Sequence, residues 1–116
     1  MTKHSEARLE SRILEAISTM IVTGAIKNPH LSPFTSITEV RLSVDNAYAT
    51  VFVSTVMEKD LERSVKALSS ASGFIQGRLG AILKTRNTPV LRFVADRSYQ
   101  EGERINHLID EALGKA

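Results

Sequence analysis

The sequence predicts a single α+β domain built on a three-stranded mixed sheet with helices over one face. Three observations carry that prediction: apolar residues at helical spacing over 9–21 and again over 61–83, two adjacent runs of apolar–polar alternation between 36 and 54, and a third strand-like run at 90–95 after the paired helices. A chain of 116 residues with 42% apolar side chains suits one compact core, so residues 1–116 form one domain with a folded core from about 5 to 113.

The first helix reads from about Ser5 to Ile26, where Leu9, Ile13, Ile17 and Met20 recur every three or four positions and Leu14 and Ile21 widen the stripe. Gly24 weakens its end, and Lys27-Asn28-Pro29-His30 stops it because Pro29 has no N–H to donate. A strand follows from Ser36 to Val44, with Val40, Leu42 and Val44 on one face and Glu39, Arg41 and Ser43 on the other. Asp45-Asn46 makes a tight connection into a second strand over 47–54, where Ala49, Val51 and Val53 face one way and Tyr48 and Phe52 the other. Apolar content on both faces marks this as the middle strand. Tyr48, Phe52 and Phe93 are therefore expected in the sheet core and not as stacking platforms.

Asp60 is the expected N-cap of a helix carrying Leu61, Val65 and Leu68. Ala71-Ser72-Gly73 interrupts it, and Ile75, Leu79 and Ile82 then share a face as far as Leu83, which predicts two helices joined at a kink. Asn87-Thr88-Pro89 ends the second. The third strand, Val90 to Ala95, sets Leu91, Phe93 and Ala95 opposite Val90, Arg92 and Val94, and a final short helix from about Glu101 to Leu113 repeats Ile105, Leu108, Ile109 and Ala112. The order is α-β-β-α-α-β-α. A two-helix crossover of about thirty residues makes the second and third strands parallel neighbours.

The formal net charge is +2, and its distribution is uneven: Arg78, Lys84, Arg86, Arg92 and Arg97 face the single acid Asp96 between Gln76 and Arg97. Cysteine is absent, which excludes disulfides, thiolate nucleophiles and sulfur-based zinc sites. His4, His30 and His107 lack ligand spacing, so neither a metal nor any other cofactor is expected. Asp45 and Asp96 both end strands, where turn bonding and helix entry account for them without chemistry, and no placed nucleophile or nucleotide loop accompanies them. No run approaches the length of a membrane span, and the first residues enter a charged periodic pattern directly, so a cytoplasmic location is expected.

Lys27-Asn28-Pro29-His30-Leu31, the run from Val44 to Val53, Ala71-Ser72-Gly73-Phe74-Ile75, Leu79-Gly80, and Arg86 through Pro89-Val90-Leu91-Arg92-Phe93 to Asp96 together resemble bacterial ribosome-binding factor A. The similarity runs nearly end to end. It implies a KH-like domain of the second type whose usual glycine-containing turn is replaced by a kink of the pattern alanine, any residue, glycine, which Ala71-Ser72-Gly73 matches. It further implies a non-enzymatic factor that binds the small (30S) ribosomal subunit and its 16S rRNA and promotes late maturation and rRNA processing, including during growth in the cold. Free subunits or their precursors would be the partners, with the protein a monomer and neither DNA nor membrane involved. Two positions depart from the family: Gln76 stands where arginine is usual, and Val90 where Pro-Glu-Leu is common. A small protein-interaction or structural domain without RNA contact is the alternative.

The candidate RNA-binding residues are Arg78, Lys84 and Arg86 on or just past the second crossover helix, Ser72 and Gly73 at the kink, Arg63 and Lys66 before it, Arg92 on the third strand, and Arg8 and Arg12 one turn apart on the first helix. Such cations would position the domain on phosphates without reading bases. Gly77-Arg78-Leu79-Gly80 has the spacing of a GxxG clamp, but Leu79 belongs to the apolar stripe, so close helix packing is the expected reason for both glycines.

Overall fold

In the computed structural model, which describes residues 3–84 and 87–98, the elements are α1 (Lys3–Val22), β1 (Thr35–Leu42), β2 (Tyr48–Thr55), a 3-10 turn (Glu58–Asp60), α2 (Leu61–Ser70), α3 (Ser72–Leu83) and β3 (Val90–Ala95). The last helix expected at 101–113 lies outside the described residues, as does Arg86.

The sheet has the order β1-β2-β3, with β2 antiparallel to β1 and parallel to β3, as the pattern of two-faced apolar content implied. Helix α1 covers β1, α2 covers β3, and α3 packs against α1, so all three helices lie on one side. Their inward residues Ile13, Ile17, Leu61, Leu68, Ile75 and Leu79 meet Ala49, Val51, Val53, Ile37, Val40, Leu91 and Phe93 in one continuous core. The opposite face of the sheet carries Tyr48 and Phe52. Tyr48 is 45% exposed and Phe52 half-buried, so of the three aromatics expected in the core only Phe93 lies there fully.

Several boundaries differ from the sequence expectation for definite reasons. Helix α1 stops at Val22, not Ile26, because Gly24 takes a left-handed conformation at φ +73° and closes the end: its N–H reaches the Ile21 carbonyl at 3.2 Å and the Ala25 N–H reaches that of Met20 at 3.0 Å. Ile26 is still buried, but from the loop. Strand β1 ends at Leu42, and Val44, expected to point inward, is 99% exposed at the tip of a wider turn. That turn is fixed by Asn46 at φ 59° and by the Asp45 carboxylate, which accepts from the Ser43 hydroxyl at 2.7 Å and the Ala47 N–H at 3.1 Å. An irregularity between Ile37 and Glu39 places Ile37 and Val40 on the same buried face despite their odd spacing.

Asp60 does occupy the N-cap of α2, yet its side chain caps nothing and pairs instead with Arg63 at 2.9 Å. The junction at Ala71 is a true interruption, with φ −92° and ψ 6° between α2 and α3. In α3 the buried residues are Ile75, Leu79 and Leu83, whereas Ile82, expected on that stripe, is 47% exposed. The loop before β1 is tied to α2 by buried hydroxyls: the Ser64 Oγ accepts from the Ser32 N–H at 3.1 Å, and the Thr35 hydroxyl donates to the Ser32 carbonyl at 2.6 Å.

Candidate nucleic-acid interface

Helix α3 is a ridge. Its Ile75-Leu79-Leu83 stripe is sunk in the core, which turns Gly73, Gln76, Gly77 and Gly80 to one flank and Phe74, Arg78 and Ile82 to the other. Each flank borders a groove.

The groove on the arginine flank is shared with α1. It has a volume of 340 Å³ and is lined by Arg12, Glu15, Ala16, Thr19, Met20, Thr23, Arg78 and Ile82. Arg12 and Arg78 lie far apart in the chain, and the packing of α3 on α1 brings them to one surface. The Arg78 guanidinium also sits 5.6 Å from the centroid of the Phe74 ring, itself 47% exposed, so an aromatic face supports the cation. Lys84 follows at the end of α3, exposed and in a left-handed cap whose N–H bonds to the Gly80 carbonyl at 2.9 Å.

The groove on the glycine flank has a volume of 480 Å³ and is lined by Gly73, Gln76, Gly77, Gly80, Asn87 and Thr88. Close packing, expected for both glycines of the GxxG-like tetrad, holds at only one. A Cβ on Gly80 would fall 2.8 Å from the Thr88 hydroxyl, but a Cβ on Gly77 or Gly73 would meet nothing within 4 Å. The tetrad lies wholly inside α3 with Leu79 buried, so it forms no clamping loop. Open glycines there leave the helix backbone accessible to a strand lying along it. Ser72 and Gly73 begin this flank immediately after the kink.

The remaining candidate cations are dispersed. Arg8 lies on α1, exposed, one turn before Arg12. Arg63 and Lys66 lie on α2 beside the loop that contains Asn28 and His30. Arg92 lies on the other side of the sheet, 5.2 Å from the centroid of the Tyr48 ring, where Arg41 similarly covers Phe52 at 5.5 Å. Arg97, the last member of the basic run, is paired with Glu62 at 3.2 Å and Glu58 at 4.0 Å. The described members of the linear run, Arg78, Lys84, Arg92 and Arg97, therefore divide among three surfaces. Phe74 was missing from the sequence assignment, which offered Arg12 together with Arg8 as an extension of the basic surface; the contact of α1 with α3 brings Arg12 to the groove of Arg78.

Asp45 and Asp96 stand at opposite ends of β2, about 17 Å apart along a strand, and do not form a carboxylate pair. Both are held below the usual carboxylate range. The Ser43 hydroxyl and the Ala47 N–H do this for Asp45. For Asp96 the Ser98 side chain, the Thr38 hydroxyl and the Ser98 N–H do so. Ionised carboxylates whose lone pairs are taken up in turns serve geometry. Among the described residues no cluster of three His, Asp or Glu side chains could hold a metal, and no helix is long and apolar enough to cross a membrane.

Comparison with known proteins places this arrangement among relatives. The sequence model of the family described as ribosome-binding factor A matches residues 5–109. The ribosome-binding factor A of Borreliella burgdorferi (strain ZS7) is 39% identical over 104 residues, covering 89% of this chain and 87% of the relative. That of Treponema denticola is 41% identical over 110 residues, 93% of this chain and 83% of the relative. Among solved structures, the crystal structure of ribosome-binding factor A from Thermus thermophilus superposes with a TM-score of 0.67 at 29% identity, covering 78% of this chain and 94% of that one. A Thermus thermophilus homology model of the same factor, fitted into an electron-microscopy map of its complex with the 30S subunit, gives a TM-score of 0.62 at 29% identity, covering 84% of this chain and 97% of that one.

Proposed function

The chain belongs to the ribosome-binding factor A family, and from that premise we propose that it binds the small ribosomal subunit through 16S rRNA, using the α3 ridge and its two grooves. Proteins of this family are not catalysts, and the chain is not an enzyme. Its role is in ribosome assembly. The finer reading is that it acts on free subunits or their precursors in the cytoplasm, as a monomer, and promotes late maturation and the processing of rRNA, including in the cold.

One observation carries the choice of surface: Arg12 and Arg78 line a single groove with an apolar floor of Ala16, Met20 and Ile82, and neither forms an ion pair with another described residue. Two guanidinium groups at one groove, beside the single carboxylate of Glu15 and with no ion partner among the described residues, match the phosphates of a nucleic-acid backbone, each offering a planar fork of donors. The glycine flank adds a stretch of helix, open at Gly73 and Gly77, on which a strand can lie between the side chains of Gln76, Asn87 and Thr88. A fixed, unreactive surface of this kind assists folding by selection, since favouring one RNA conformer by about 1.4 kcal/mol already shifts a two-state ratio tenfold.

The test is equilibrium binding of the purified protein to small subunits across a salt series, with and without ribonuclease treatment. Affinity should fall steeply with added salt and be lost on digestion of the RNA. Salt-indifferent binding that survives digestion would favour the protein-interaction alternative.

A further inference from the structure

On the same helical layer, outside the two grooves of α3, the loop between α1 and β1 meets α2 around a cavity of 240 Å³ lined by Asn28, His30, Arg63, Lys66, Ala67 and Ser70. We infer that this cavity is a second seat for a phosphate of the RNA backbone, held by Lys66, His30 and Arg63; the inference rests on the reading of the protein as an rRNA binder.

The cavity is built by fixed backbone. Asn28 reaches α2 through its Nδ2, which donates to the Ala67 carbonyl at 3.5 Å, while its Oδ1 accepts from the His30 N–H at 2.9 Å. The Asn28 carbonyl accepts from the Leu31 N–H at 3.1 Å, closing the turn around Pro29 and His30. His30 is thereby set against the face of α2 on which Arg63, Lys66 and Ser70 follow one another at helical spacing. Arg63 is braced from behind, with its Nε and Nη2 on the Asp60 Oδ1 at 3.1 and 2.9 Å. Lys66 has no ion partner among the described residues. No carboxylate lines the cavity, so its charge is positive and its polar groups are chiefly donors.

That donor set suits a tetrahedral oxyanion. An ammonium, an imidazole, a guanidinium and the Ser70 hydroxyl line the cavity from two elements. No aromatic or broad apolar wall is present to hold a nucleobase, which favours a backbone phosphodiester over a free nucleotide. Ser70 directly precedes the Ala71 junction, so the seat opens beside the start of the α3 ridge.

The experiment is binding of the full chain to purified small subunits over a salt series, comparing wild type with Lys66→Gln, Lys66→Arg and His30→Ala. These side chains are exposed, and thermal melts should match wild type. Lys66→Gln should lower affinity roughly fivefold and flatten the log–log salt slope by about one, the signature of a lost phosphate contact. Lys66→Arg should restore both, and His30→Ala should weaken binding with intact folding. Wild-type affinity and slope in both Lys66→Gln and His30→Ala would overturn the phosphate seat while leaving the wild-type RNA interaction standing. A loss of affinity with an unchanged slope would equally overturn it, pointing to contact with a neighbouring protein. Binding of inorganic phosphate alone that saturates and competes with the subunit would make this a free-anion site and overturn its assignment to the RNA strand. If wild type itself fails to bind, the parent reading falls, and the inference with it.

Discussion

Alanine at Gly77 separates the folding role of the α3 ridge from its binding role. Gly77 is the sixth of twelve residues in α3, and Gly24 is the only described glycine with a positive φ, so no special backbone conformation requires a glycine here. A Cβ built on it meets nothing within 4 Å. In a helix interior alanine is favoured over glycine by about 0.8–1 kcal/mol, chiefly because glycine loses more backbone freedom on folding. With no steric term to offset this gain, Gly77→Ala should raise stability by nearly that amount, or about 3–6 °C in melting temperature for a domain of this size. At Gly80 the same substitution places a methyl 2.8 Å from the Thr88 hydroxyl, so the side chain must turn aside and the gain should shrink or reverse. Binding should move the opposite way. If an RNA strand lies along the glycine flank, the Gly77→Ala methyl stands in its path, and affinity for small subunits should drop about tenfold, or 1.4 kcal/mol. Differential scanning calorimetry and subunit binding on the same preparations give both numbers. A lowered melting temperature would refute the open geometry at Gly77; a raised one with unchanged affinity would remove the glycine flank from the interface.

The other expectations are shorter. Arg12→Ala combined with Arg78→Ala should weaken subunit binding far more than Arg41→Ala combined with Arg92→Ala, because the second pair lies across the sheet from the ridge; equal losses would move the interface. Leu79→Ala should destabilise by about 2–5 kcal/mol as a fully buried truncation, and Ile82→Ala by well under half as much, measured by urea unfolding. Asp96 has its pKa lowered on folding, so its carboxylate stabilises the native state above the ordinary value of 3.8, and that contribution is lost as pH falls through the lower native value. Asp96→Asn should accordingly flatten the acid limb of stability against pH below 3.8, read as urea midpoints; an unchanged acid limb would contradict the bonding seen at Thr38 and Ser98.

The strand order and the helix–kink–helix crossover could be read from the sequence because period and connection length point to them: Val51 and Val53 alternate with Phe52, and a two-helix connection of about thirty residues is long enough to carry the chain back for a parallel pairing. What escaped was local. The bulge in β1 adds a residue without altering composition, so Ile37 and Val40 look as if they belong to opposite faces when both are buried. On α3, Ile82 and Leu83 are equally apolar, and which one enters the core depends on how α3 is rotated against α1. Tyr48 alternates as a core residue would, but whether a sheet's second face is covered is decided by where the helices pack. At the site, composition showed the excess of cations between 76 and 97 but could not show that Arg97 is consumed by Glu58 and Glu62, or that Arg12 joins Arg78 from the far end of the chain.

The departure on α3 bears on how the surface works. Burying Leu83 instead of Ile82 rotates α3 so that Ile82 forms part of the floor beside Arg78, while the same rotation turns Gly73 and Gly77 outward. Core packing thus sets the exposed face: the side that satisfies Ile75, Leu79 and Leu83 determines which residues are left at the surface for the proposed RNA contact. The cations on that face are separated by apolar and glycine surface and are not massed together, so the native state carries little self-repulsion, and a bound strand gains shape complementarity as well as charge. An assembly factor must also leave the finished particle. If the proposed contacts hold, affinity divided among a few salt-sensitive phosphates suits release, because a change in RNA geometry that withdraws two or three of them from Arg12, Arg78 and their neighbours lowers affinity by orders of magnitude.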